Sequence, residues 1–442
     1  MDLALSQSQL DGMRTEFAAD PTKKIVQNAL ANQSLQEVAV DNARMTNLDT
    51  AVSHHLDDWK VTDQKRSGRC WMFAGLNLLR PSAAKAMNLK DFEFSQNHIM
   101  FFDKIERANF MLEQVIDLAD TEIDDRTFVS VLEKAAEDGG QWNMFVALVN
   151  KHGLVPKKAM PETYSSSSTA QMNSSLQTIL RHGAMRIREQ AANGADIEQL
   201  RKTKFDVVSS VYNVLCLHLG TPPTSFNWQW KDKDNKFHRD GVMTPQEFAA
   251  KYVKLPLDEY VCLVNDPRNE YGRTYTVDRL GNVADAPGVV YLNVDMSVIR
   301  HAAAKAIQDG EPVWFGCDVA PQLHGERGLW DDKLVDFEAL YGDMPSMNKA
   351  QRLQYQESLM THAMLFTGVN IVDDEPTHWR VENSWGCEKG EDGYYTMSDA
   401  WFGEYVFEIA ARRSALPAEI LAGLDTEPIT LPAWDPMGSL AR

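Results

Sequence analysis

"DQKRSGRCWMFAGLNLL", residues 63–79, sets one cysteine between a polar turn and a run of apolar residues. A cysteine beside Trp71, Phe73, Leu76 and Leu78 reads first as core, because free cysteine packs as a small hydrophobe. Its position argues for chemistry as well. Ser67 and Gly68 form a turn signal, and Trp71 to Leu79 supply helix-length apolar content that Pro81 is expected to stop. Cys70 is therefore expected at a helix N-terminus, where unpaired N–H groups and the helix dipole favour a thiolate. A thiolate nucleophile needs a base, a group that orients the base, and donors for the oxyanion.

His362 is the candidate base. It stands in "LMTHAMLFTGV", at the start of an apolar strand, a rigid place from which to present an imidazole. Asn383, in "VENSWG", ends the next strand candidate. If the two strands pair antiparallel, its side-chain carbonyl can fix the imidazole's tautomer without adding a second negative charge. Trp385 would shield that bond from water, a role compatible with plain core packing. Gln64 precedes the cysteine closely enough for its amide and the Cys70 N–H to point at one oxygen.

These residues need two positioning units, and the chain is long enough to supply them. At 442 residues it is too large for one simple core. Residues 1–58 look helical and polar, an N-terminal extension. Residues 59–163 read as a helical lobe carrying the nucleophile, with "FSQNHIMFFDKIERANFMLEQVIDLA" apolar at three- and four-residue spacing. The serine run "YSSSSTAQMNSSL" opens an expected inserted unit, 164–286, helical at first and then a hairpin around "TPPTSFNWQWKDKDNKFH". Residues 287–430 read as a β lobe. "VVYLNV" and "PVWFGCDV" flank a helix with Asp295 or Ser297 as N-cap, and four strand candidates follow: "HAMLFTGVNIV", "THWRVENSW", "GYYTMSDAWF" and "YVFEIAARR". Helices early and strands late predict a two-lobed α+β enzyme with its site in the cleft.

Composition excludes other classes. With 63 acidic against 44 basic residues, a formal charge of −19 and no basic block, nucleic acid and anionic membranes are poor partners. The start "MDLALSQSQLDGMRTEF" has neither signal nor anchor character. Cys70, Cys216, Cys262, Cys317 and Cys387 are odd in number and scattered, without metal-ligand spacing, so a reduced cytoplasmic protein with no metal is expected.

Gln64 with Cys70-Trp71, His362-Ala363 and Asn383-Ser384-Trp385-Gly386 resemble, in order, the active-site blocks of the papain superfamily of cysteine peptidases. Gly139-Gly140 before Trp142 is similar to that family's glycine pair, whose backbone holds substrate as an added strand. Departures are Arg69, where a small residue is usual, Lys389-Gly390 in place of a second Trp-Gly, and a Cys70–His362 separation about twice the usual 130 to 150 residues. The long insertions, "SGRCW", "MNKAQRLQYQESLMTHAM" and the ending "LPAWDPMGSLAR" resemble the bleomycin hydrolase and aminopeptidase C branch. That resemblance implies a papain-like fold with a large helical insertion, a cofactor-free aminopeptidase acting through a thioester, bleomycin-type amide hydrolysis, and a homohexamer whose sites face an internal channel. The alternatives are an acyl-transferring relative and a catalytically idle scaffold.

An exopeptidase must block one side of its cleft and recognise a free amine, and no acidic residue near these blocks stands out for that task. The tail, 431–442, offers itself, with Trp434 and Pro436 as anchors and slim residues from Met437 to Ala441 after them. Six residues span up to roughly 20 Å, enough to run along a cleft. If Arg442 is trimmed, the Ala441 carboxylate would pair with the substrate ammonium.

Overall fold

Strand alternation in the C-terminal half decides the architecture. On Val313–Cys317, Trp314 enters one core while Phe315 and Cys317 enter another. On His362–Val372, Ala363 and Leu365 share the first core, Met364 and Phe366 the second. Successive side chains on a strand point to opposite faces, so a sheet with such strands is covered on both. The computed structural model, which describes residues 3–441 apart from 343 and 345, shows this. One face packs on the helical lobe. The other is covered by the helix Met296–Gln308, capped by Asp295, and by an aromatic layer in which Phe315 and Phe366 stack at 3.8 Å.

Among the described residues the main sheet has 12 strands and is mostly antiparallel. Its centre runs from Tyr260–Val264 through Val406–Arg412, Val313–Cys317, His362–Val372 and Glu375–Glu382 to Tyr394–Ser398. His54–His55, at the end of the helical N-terminal extension, adds to His362–Val372. The expected α+β, two-lobed class therefore holds.

Three local expectations are corrected. The helix Cys70–Ala86 does not stop at Pro81 but runs through it. An interior proline costs about 3 kcal/mol, and the apolar face that continues through buried Ala83, Ala84 and Met87 offsets it. In "GYYTMSDAWF" the strand ends at Ser398, whose hydroxyl accepts the Trp401 N–H and starts the helix Asp399–Tyr405. Within 164–286, the helices Tyr164–Ser167, Ala170–Ala192, Ile197–Leu219 and Pro245–Tyr252 and the hairpin Phe226–Lys231/Phe237–Met243 stand apart from the sheet. Tyr260–Val264 and Arg273–Val277 pair into it, so the β lobe begins near 260 rather than 287.

Candidate active site

Cys70 is the first residue of its helix, fully buried. Arg69, the N-cap, makes no side-chain cap bond, so the leading N–H groups face the site. That helix packs against the strand opened by His362. The next strand pairs antiparallel, with Leu365 opposite Glu382, and delivers Asn383 beside the imidazole. His362 Nε2 lies 3.0 Å from Asn383 Oδ1, which also accepts the Ser384 N–H. An acceptor at Nε2 fixes the proton there and leaves Nδ1 as the basic nitrogen. Trp385 packs on the imidazole with ring centroids 4.8 Å apart.

Gln64 is buried on the same side. Its Oε1 accepts the Ser384 hydroxyl at 2.6 Å and its Nε2 donates to the Ser67 carbonyl at 2.6 Å. One amide proton is thereby held, leaving the second for an oxyanion. Ser384 was not singled out in the sequence, although it lies within the Asn-Ser-Trp-Gly block. Arg69 explains its own departure from the common pattern. It makes a two-pronged pair with Glu162 at 3.1 and 2.8 Å and holds Ser67 Oγ at 2.9 Å, bracing the loop that carries Gln64.

A thiol lowered by the helix terminus was expected, and the resting site differs. Burial pushes Cys70 up to about 12, against the backbone N–H groups of Ala363, Trp71 and Cys70 itself. Burial likewise pushes His362 down to about 4, against its bond to Asn383. Burial in the closed site thus favours the neutral thiol and the neutral imidazole.

The tail packs on Gly140. Met437, Gly438, Leu440 and Ala441 are buried, and Gly140 N–H donates to Ala441 O at 3.2 Å as an antiparallel bridge. A Cβ on Gly140 would run into the Trp71 indole, so glycine is required there. Gly139 turns its carbonyl to Arg107 at 2.8 Å. Further anchors escaped sequence reasoning because they come from distant segments. Gln141 donates to Ser439 O, Tyr291 to Met437 O and Lys134 to Ala433 O, while Arg268 pairs with Asp435 at 2.8 Å. Trp434 stays partly exposed under the Arg126 guanidinium. Arg442, expected to be trimmed, lies outside the described residues.

The fold and the facing lobes define the class as the papain-like cysteine peptidases. Within it, the chain belongs to the Peptidase C1-like family, whose profile matches residues 4–438. It is 38% identical to aminopeptidase C of Listeria innocua over 443 residues, covering all of both chains. It is 39% identical to bleomycin hydrolase of Homo sapiens over 450 residues, covering 99% of each. The solved structure of PepW from Lactobacillus rhamnosis superposes over the whole of both chains with a TM-score of 0.97 at 39% identity.

Proposed function

We propose that this chain is a cysteine aminopeptidase in which Cys70 is the nucleophile, His362 the base, Asn383 its orienting partner and Gln64 an oxyanion donor. Substrate entry admits water and charge, and His362 Nδ1 takes the thiol proton. The thiolate attacks the scissile carbonyl. Gln64 Nε2 and the Cys70 N–H stabilise the oxyanion, and the imidazolium protonates the leaving amine. Water then hydrolyses the thioester. Trp385 shields the His362–Asn383 bond.

The observation that carries the exopeptidase reading is the bridge between Gly140 and Ala441. Gly139 and Gly140 would otherwise hold substrate residues upstream of the cut, and the tail already fills that edge. A substrate can then offer only its first residue, its ammonium meeting the end of the tail. If the chain is trimmed to Ala441, the new carboxylate supplies the partner charge.

We also propose bleomycin-hydrolase-like amide hydrolysis, a homohexamer and a cytoplasmic location, which the resemblance implies. Exposed Tyr164, Phe205 and Leu217 on the inserted unit offer apolar surface for self-association, and all five cysteines are free. Among the described residues, no helix is long and apolar enough to cross a membrane. The deciding experiment compares free-amine and N-blocked fluorogenic dipeptides. Cleavage of the free-amine compound alone is expected, and equal cleavage of both would refute the reading. Released product also separates hydrolysis from acyl transfer when an amine is added.

A further inference from the structure

The serine run that opens the inserted unit reaches into the active-site loop. Arg66 N–H donates to Ser167 O at 3.0 Å, and Thr169 N–H donates to Arg66 O at 3.3 Å. Between them the two strands of chain form a bridge, Arg66 to Ser168. Asp138, just before the glycine pair, joins the same place from a third direction. Its Oδ2 accepts the Gly68 N–H at 3.0 Å and the Thr169 hydroxyl at 2.5 Å. Its Oδ1 accepts Lys104 Nζ and Asn173 Nδ2, both at 2.7 Å. Its backbone carbonyl takes the Trp71 indole N–H at 2.7 Å.

We propose that Asp138 and Thr169 are positioning residues for the thiol chemistry: the inserted unit clamps the Gln64–Cys70 loop through one shared carboxylate oxygen. The proposal rests on the assignment of Cys70 and Gln64 given above. Asp138, Thr169 and Lys104 are buried, and the bonds from Thr169 and Lys104 to the carboxylate lie in a low-dielectric site, where charged hydrogen bonds are strong and directional. Burial alone would raise this carboxyl, and the Lys104 charge with the three other donors holds it well below the usual carboxylate range. It remains an anion, an acceptor for every donor around it. Gly68 is two residues from the nucleophile, and its placement sets where the Cys70 N–H and the Gln64 amide meet. An oxyanion pocket displaced by a fraction of an ångström stabilises the transition state poorly while still binding substrate. The clamp therefore acts on kcat rather than KM. It also makes the helices Ala170–Ala192 and Ile197–Leu219 part of the catalytic support.

Asp138→Asn would strand the buried Lys104 charge and risk misfolding. The test therefore uses Thr169→Val, which removes the hydroxyl and keeps the branched shape, with Thr169→Ser as the conservative control. Both are made in the full chain and assayed on a free-amine dipeptide substrate, with thermal unfolding alongside. Thr169→Val should lower kcat roughly tenfold, the effect of modest misplacement, with KM within about twofold and little change in melting temperature. Thr169→Ser should recover most of the loss. An unchanged kcat in Thr169→Val, an equal loss in Thr169→Ser, or a fall that merely tracks the unfolded fraction overturns the clamp. If Thr169→Val does not fold, Thr169→Ala takes its place and is read against Thr169→Ser by the same three outcomes. Cys70→Ala, measured in parallel, tests the underlying assignment separately, since its retained activity would remove the nucleophile and not the clamp.

Discussion

Ala441 lies against Gly140 in a single antiparallel bridge, its carbonyl accepting the glycine N–H at 3.2 Å. The tail is fastened by side chains from both lobes, Gln141 and Lys134 on one and Tyr291 and Arg268 on the other. On the proposed reading, its place along the Gly140 edge would account for end-specificity.

Deleting residues 437–442 should admit N-blocked and internal substrates while weakening the preference for free amines. Rates on matched free and blocked peptides, wild type against truncation, measure this. A truncated enzyme that kept its full preference for free N-termini would move the selectivity to some other group.

Cys70→Ala should abolish turnover and leave the fold intact, because the core at that point needs only a small side chain. Labelling needs care, since Cys387 is exposed and Cys70 buried. In a Cys216→Ser, Cys387→Ser background, which removes the two cysteines that are not buried, iodoacetamide should modify Cys70 ahead of Cys262 and Cys317 and faster once the tail is removed, as water re-enters and the thiol falls from about 12. Peptide mapping after partial alkylation gives the order. Labelling of Cys317 or Cys262 first, with activity lost in step, would displace Cys70 from its role.

Gln64→Ala should lower kcat about 10²- to 10³-fold, the usual loss for one oxyanion donor. Asn383→Ala should cost less, because Trp385 still holds the imidazole in place. The Gln64 variant tests more than one donor, since Ser384 loses its partner as well. Ser384→Ala should therefore reproduce a small part of the Gln64 effect, and an undiminished kcat in Gln64→Ala would show that the oxyanion is held by backbone alone.

What the sequence revealed follows the range of the forces involved. Cys70, His362, Asn383 and Gln64 announce themselves because their chemistry is tied to local context: a turn before a helix, a residue at a strand edge. The covering of Trp314 and Phe315 by different cores was legible as a buried apolar strand. Pro81 misled because its local penalty was outweighed by burial of Ala83 and Ala84, which no window of sequence displays. Tyr260–Val264 and Arg273–Val277 were missed because five-residue strands carry little periodicity and gain their stability from partners far along the chain. Asp138 and Thr169 were invisible for the same reason, and Arg69 read as an anomaly until Glu162 was placed beside it.

Glu408 yields a prediction in stability rather than catalysis. It is fully buried on Val406–Arg412, next to Cys262, and its Oε1 has no hydrogen-bond partner among the described residues. Burial raises its carboxyl to about 8, only partly opposed by Cys262. The folded protein thus keeps this proton at pH values where the unfolded chain, near 4.5, has released it. Between those limits the native state binds more protons, so the wild type loses stability as pH rises, by up to about 1.4 kcal/mol per pH unit from this group. Glu408→Gln is neutral at every pH and has nearly the same shape. Relative to wild type, the variant should gain stability steadily from pH 5 to pH 8, and the gap should level off above that. Urea unfolding of both proteins at a series of pH values measures the difference directly, and the other buried titrating groups, His98, His362 and Lys349 among them, cancel between the two. A gap that stays constant from pH 5 to 8 would mean that Glu408 ionises in the native state as freely as in water.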